Sequence, residues 1–244
     1  MKTHAWQRSV SAWMFFPVLY LVVVSDANPF WLIPSFILYL TIALTVTIGY
    51  HRLFNHNSFE CSRMWHWFFG LVGSISLNSS PVQWSAAHSA HHKYADTPND
   101  PYDTNWRHFV RFKDSRNIKA TRNEIRMLRD KMHVFLVKHS LSMSLAYGIS
   151  LLAFNFNAFL YLYALPITVY LITSGLHTIF AHAGIKKYSI GGTTARNVWL
   201  MEFIIPMGGE WLHREHHLYP ALVSWNTKPH YFDLGGMLIR GISK

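Results

Sequence analysis

His213-Arg214-Glu215-His216-His217 repeats a pattern set earlier in the chain by His88-Ser89-Ala90-His91-His92. On a helix, positions i, i+3 and i+4 share one face, so each H-x-x-H-H is predicted to present three imidazoles in one direction. Three parallel imidazoles make a poor core, because each needs a hydrogen-bond partner. They make a good metal site, because neutral imidazole suits iron, copper, zinc and nickel. A third cluster, His51-Arg52-Leu53-Phe54-Asn55-His56, closes a strongly apolar segment. Its i, i+5 spacing is off-face for an ideal α-helix, which predicts that the helix loosens or ends there.

The surroundings of these clusters are those of a membrane protein. Half of the 244 residues are hydrophobic, 16% are aromatic and only 14% are charged, against about 25% charged in a soluble domain. The formal net charge is +10. With this hydrophobicity it marks a cytosolic membrane face rather than nucleic-acid binding. Cys61 is the single cysteine, which excludes an intramolecular disulfide and fits a reducing compartment. No cleavable signal pattern precedes the first apolar run, and no Pro/Gly/Ser-rich linker divides the chain, so residues 1–244 read as one domain.

Taken in order, uncharged runs cover residues 9–25 and 28–50, the second delivering His51 and His56 at its far end. Residues 64–77 are apolar but short, which predicts a re-entrant or interfacial helix leading through Pro81 to the first triple-histidine box. Asp96-Thr97-Pro98-Asn99-Asp100-Pro101 ends that helix with turn chemistry. Residues 106–138 are polar and basic, with Arg122, Arg126 and Arg129 at helical spacing, and read as a cytosolic helix near the lipid head groups. From His139 to Ile185 there is no Asp, Glu, Lys or Arg. That is room for two spans, about 139–154 and 158–180, with Asn155-Phe156-Asn157 as the turn and Pro166 as a kink. Four spans place both termini and every Lys and Arg on one side, so the positive-inside rule puts the termini and all three boxes in the cytosol.

The boxes supply eight imidazoles: His51, His56, His88, His91, His92, His213, His216 and His217. One zinc takes four ligands and one iron at most six, so eight imply two metals if all bind, too many for a structural zinc site. His177, near the cytosolic end of the last span, is a candidate ninth. His4, His66, His108, His133, His139, His182 and His230 have no box around them and read as surface or interface histidines. Glu210, Glu215, Asp96 and Asp100 are candidate acceptors for imidazole N–H groups, with a capping role equally open to Asp96.

The chain resembles the membrane fatty acyl desaturases, and most of all their acyl-CoA Δ9 (stearoyl-CoA) type. The matching residues are His51-Arg52-Leu53-x-x-His56, His88-x-x-His91-His92-Lys93-Tyr94, Asp100-Pro101, and Gly209-Glu210-x-x-His213-x-x-His216-His217-x-x-Pro220. Ser174-x-x-His177 is similar to the family's Asn-Ser-x-x-His element. The resemblance runs from about Pro29 to the C-terminus. It implies an all-α fold of four transmembrane helices with a cytosolic helical cap holding two irons (Fe2+). His51, His56, His88, His92 and His217 would hold one iron, and His91, His177, His213 and His216 the other. It further implies a cis double bond, Δ9, put into a saturated acyl chain at the expense of O2 and two electrons. Those electrons come from an external acidic donor such as ferredoxin or cytochrome b5. Thr173 stands where the family usually has Asn and Ser89 where it commonly has Arg, which leaves CoA, carrier protein and intact lipid open as the acyl carrier. A hydroxylase or ketolase built on the same boxes is the alternative enzyme. A non-catalytic membrane metal-binding protein is the alternative of another class, disfavoured because the boxes sit at helix ends rather than at mid-membrane.

Overall fold

The computed structural model describes residues 6–24, 29–102, 118–184 and 192–244. Among these the chain is helical throughout, without a strand; one isolated bridge joins Cys61 to Ser243. Helix α1 (Trp6–Val24) is followed by α2 (Pro29–Leu44), which continues without a break into a π-helix (Thr45–Asn55). Then come α3 (Arg63–Ile75), α4 (Pro81–Tyr94), a short α5 (Arg122–Met127), α6 (Lys131–Phe154) and α7 (Phe156–Ala181). A 3-10 turn (Trp199–Phe203), α8 (His213–Leu218) and α9 (Leu234–Ile242) complete the chain.

Three of these helices, Phe30–Asn55, Lys131–Phe154 and Phe156–Ala181, are long and apolar enough to cross a membrane. The first expected span corresponds to α1, whose apolar part, Trp13–Val24, is shorter than the others. Their outer faces carry large apolar side chains in the open, among them Phe16, Phe30, Ile33, Ile149 and Phe154. Such a surface is stable only against lipid. α1 and α2 pack on α7, while α3 packs on α6 and the π-helix.

Local chemistry sets the ends. Ser80 and Gln83 form a reciprocal capping box at the start of α4, with Pro81 at its first position. The Asp130 carboxylate caps α6, and Asn155 Oδ1 accepts from the amides of Asn157 and Ala158 to start α7. The Asn155 turn therefore falls where the sequence puts it. Pro166, the expected kink, lies within α7. A π-helical stretch, Leu160–Ala164, precedes it and absorbs the missing amide. The basic helix expected over 106–138 is broken within its described part, 118–138. Thr121 and Glu124 cap the short α5, the chain turns at Leu128–Asp130, and α6 begins afresh. Gly49 lets α3 cross close to the π-helix, since a Cβ there would lie 2.3 Å from Phe69 Cβ.

Candidate metal centre

The i, i+5 spacing of the first box finds its reason in the π-helix. On an α-helix His51 and His56 would diverge by roughly 140°. A π-helix closes its turn between residues five apart, and the His56 amide indeed donates to the His51 carbonyl at 3.0 Å. The helix widens before it ends, and both imidazoles turn toward α4.

The histidines form two groups. His51, His56, His88, His92 and His216 make the first; His91, His182, His213 and His217 make the second. Within each group, one ring nitrogen per residue lies within 4.8 Å of the others. Each triple box is divided between the groups. The i, i+4 pairs stay together, with Nε2–Nε2 separations of 3.0 Å for His88 and His92 and 3.1 Å for His213 and His217. The i+3 members cross over, because adjacent helical residues such as His91 and His92 diverge by roughly 100°. The expectation of three imidazoles in one direction is corrected accordingly. His216, not His217, completes the first group, its Nε2 lying 2.7 Å from that of His92 and 3.1 Å from that of His51.

A second correction concerns the last span. His177 is buried and its ring lies 4.8 Å from that of His213, but its Nε2–H donates to the Glu210 carbonyl at 2.8 Å, and it belongs to neither group. The second group contains His182 instead, which the sequence reading took as a surface or interface histidine. His182 is buried, with its Nε2 2.8 Å from that of His213. The available signal was position, since His182 stands at the last turn of its apolar run as His51 and His56 do in theirs. Thr173, set against the family's Asn, donates to the Tyr170 carbonyl and lines an apolar cleft. Ser89 joins a buried network with Asn55 and Glu124. Of the histidines read as isolated, His133 is buried, His66 half-buried, and His139 and His230 exposed; His4 and His108 lie outside the described residues.

Three carboxylates fix the tautomers. His51 Nδ1–H donates to Glu210 at 2.8 Å, His91 Nδ1–H to both oxygens of Asp100 at 3.0 Å, and His182 Nδ1–H to Asp96 at 3.0 Å. Each bond holds the proton on Nδ1 and leaves the Nε2 lone pair aimed into its group. Asp96 is no cap. At φ 60° it also accepts from Thr193 and Thr194, tying α4 to the strap after α7. Glu215 bonds Asn197 and Arg214 instead of a histidine.

Electrostatics agree with this geometry. Burial, then the neighbouring imidazoles, hold His56, His88, His92, His213, His216 and His217 well below the ordinary histidine value. They are therefore neutral donors at neutral pH. Burial alone would raise Glu210, but His51, His177 and Arg52 outweigh it and bring the carboxyl down to about 2. Neutral nitrogen lone pairs converging at 2.7–3.1 Å repel unless a cation lies among them. The residues thus fit two metal ions.

A buried ion pair roofs the first group and was not legible in the sequence. Arg52 Nη2 meets Asp233 Oδ1 at 2.9 Å with both side chains fully buried, and the guanidinium lies 3.8 Å over the Trp225 ring. The Trp225 ring also meets the imidazoles of His216, at 4.7 Å, and His51, at 5.2 Å. Asp233 also accepts from Ser224 Oγ and from the amides of Trp225 and Gly236, which fastens the C-terminal strap over the site.

The fatty acid desaturase family matches residues 29–231. The chain belongs to the fatty acid desaturases. This desaturase is 25% identical over 189 residues to an sn-1 stearoyl-lipid 9-desaturase of Anabaena variabilis, covering 74% of this chain and 68% of the relative. It is 25% identical over 255 residues to the Delta-9 acyl-lipid desaturase 1 of Arabidopsis thaliana, covering 98% and 82%. It is 28% identical over 197 residues to the acyl-CoA desaturase 1 of Saccharomyces cerevisiae, covering 73% and 37%. It is an oxidoreductase of lipid metabolism and a membrane protein.

Two cavities follow one seam of this desaturase, between α2 and α7. The inner one, about 60 Å³, is lined by His51, His88, His91, His182 and His213 at one end and by Ala43, Val46 and Met207 at the other. The outer one is an apolar cleft of about 420 Å³ lined by Leu32, Phe36, Val169, Thr173 and Ile204. Tyr39 lines the outer cleft, its hydroxyl donating to the Pro206 carbonyl at 3.1 Å.

Proposed function

We propose that this chain introduces a cis double bond at the Δ9 position of a saturated acyl chain, using O2 and two electrons from an external donor. The observation that carries this reading is the inner cavity. Imidazoles of both groups wall it beside Ala43, Val46 and Met207, and an apolar cleft continues the α2–α7 seam, so a methylene chain lying there presents one stretch of carbons to the metal centre. His51, His56, His88, His92 and His216 would hold one iron, and His91, His182, His213 and His217 the other. When bound, the irons supply the O2-derived oxidant that removal of hydrogen from an unactivated methylene requires.

The protein's own part is orientation and enclosure. Glu210, Asp100 and Asp96 hold protons at Nδ1 of His51, His91 and His182 and so keep their Nε2 atoms available. His177 bonds the backbone of Glu210 from the cavity wall and braces that carboxylate's segment. Ala43, Val46 and Met207 exclude water beside the chain, and Tyr39 lines the cleft beyond. His56, His92 and His217 are only half-buried, so the centre is reached from the side opposite the seam. We assign that side to the cytosol, with four spans and both termini facing the same way. There an acidic carrier such as ferredoxin or cytochrome b5 meets a basic face that includes Lys93. Arg107 and Arg111, expected on the same face, lie outside the described residues.

The test is expression in a desaturase-deficient host, followed by mass spectrometry of total fatty acids with the double bond located by derivatisation. A Δ9 monounsaturated product that disappears with His91→Ala or His216→Ala supports the reading. Hydroxylated or oxygenated acyl chains in place of an alkene would overturn it.

A further inference from the structure

On the other side of the π-helix from the histidines lies a crevice of about 590 Å³ that the desaturase chemistry does not use. Leu53 and Phe54 form its floor. The rings of His66 and His133 stand edge-on to Phe54 at 5.6 and 5.1 Å. Arg126 and Arg129 line its outer wall, and both side chains are exposed.

The charges in this crevice are unequally matched. Asp130 is taken by a bidentate ion pair with Arg63, one contact of which is 2.6 Å. Among the described residues, Arg126 bonds the neutral amides of Asn57 and Asn123 alone, and Arg129 forms no ion pair with a carboxylate. Exposed Glu60 is the remaining acid on the rim, and the Lys244 amine is near enough to depress His66. His66 is pushed down first by burial and then by Arg63, so it is a neutral ring with an N–H to offer.

The level of the crevice decides the kind of anion. It opens where α6, a helix fit to cross a membrane, begins at Lys131. Its arginines alternate with exposed apolar side chains, Ile125 on α5 and Leu128 in the turn after it, and Met64 and Phe135 lie on the flanking helices. Arginines set among exposed apolar groups at a helix entry belong to the lipid head-group layer, where basic residues are drawn to an anionic surface.

We propose that this crevice binds the phosphate of an anionic phospholipid head group, at a site separate from the acyl seam. The test uses the full chain in dodecyl maltoside micelles. Its thermal midpoint is followed by tryptophan fluorescence with dihexanoyl phosphatidylglycerol, dihexanoyl phosphatidylcholine or inorganic phosphate. Phosphatidylglycerol is expected to raise the midpoint and the other two to leave it in place. Arg129→Ala, which breaks no bond seen in the fold, should abolish the rise, and Arg122→Ala, at the start of α5 and outside the crevice, should keep it. Counting lipid adducts by native mass spectrometry reads the same loss without relying on stability. Equal shifts with phosphatidylcholine, or a full rise in Arg129→Ala, overturn the site. An equal shift with inorganic phosphate makes it a free-anion site and overturns the lipid. A loss in Arg122→Ala as large as in Arg129→Ala makes the attraction diffuse and overturns the crevice.

Discussion

Exchanging His182 and His177 for alanine, one at a time, separates the centre seen in the fold from the one expected from the boxes. His182→Ala takes the second group from four imidazoles to three and leaves Asp96 without its histidine partner. His177→Ala removes no member of either group; it costs the hydrogen bond to the Glu210 carbonyl, about 1–3 kcal/mol for a buried polar group left unpaired. Elemental analysis of protein from iron-supplemented cells should therefore give two metals per chain for the parent and His177→Ala, and close to one for His182→Ala. Zinc in overexpressed material counts as a substitute occupant. Asp96→Asn provides the graded version. It keeps the shape but gives up the charge that holds the His182 proton on Nδ1, and loss of such an outer partner lowers metal affinity 10–100-fold, about 1.4–2.7 kcal/mol. Competition with a chelator of known affinity reads that change directly. One metal in His177→Ala together with two in His182→Ala would refute the grouping.

Three further expectations rest on other parts of the fold. Tyr39→Ala should enlarge the apolar cleft and move the product distribution toward longer acyl chains, at a stability cost of about 3–5 kcal/mol for a truncated buried aromatic; an unchanged chain-length profile would place the end of the substrate elsewhere. Asp233→Asn strands the buried Arg52 charge, so unfolding should become easier by about 3–5 kcal/mol, and a denaturation shift below about 1 kcal/mol would show that solvent reaches the pair. Glu202 accepts from the amides of Met207 and Gly208, and burial raises its carboxyl from 4.5 to about 7. Between those values the folded chain keeps a proton the unfolded chain has lost, so stability falls as pH rises through this window, by about 3 kcal/mol in all. Glu202→Gln keeps an acceptor for both amides and should flatten the fall in thermal midpoint from pH 5 to 8; an unaltered slope would assign the pH dependence to other groups.

What could be read from the chain divides along the range of the forces involved. Apolar runs, the Asn155 turn and the short helix that starts at Arg63 follow from local hydropathy and capping, and they were legible. The i, i+5 spacing of His51 and His56 carried its own warning of a departure from α geometry, and the π-helix is the form that departure takes. The pairing of Arg52 with Asp233 spans 181 positions and leaves no periodic trace. The division of the boxes lies between these extremes. Helix geometry alone states that His91 and His92 diverge, so one box cannot serve one ion with all three rings. Which ion each ring serves depends on how α4 and α8 face each other, and that is set by the strap that Asp96 pins through Thr193 and Thr194. The same strap carries Asn197, whose side chain accepts from the Arg214 amide at the start of α8. His182 sits at the head of this strap, one step beyond the last helical turn. A histidine there is aimed by the chain that follows it, whereas His177 is aimed by the helix that contains it. The likeness of Ser174-x-x-His177 to the family's Asn-Ser-x-x-His element describes only the second case, which is why it selected His177.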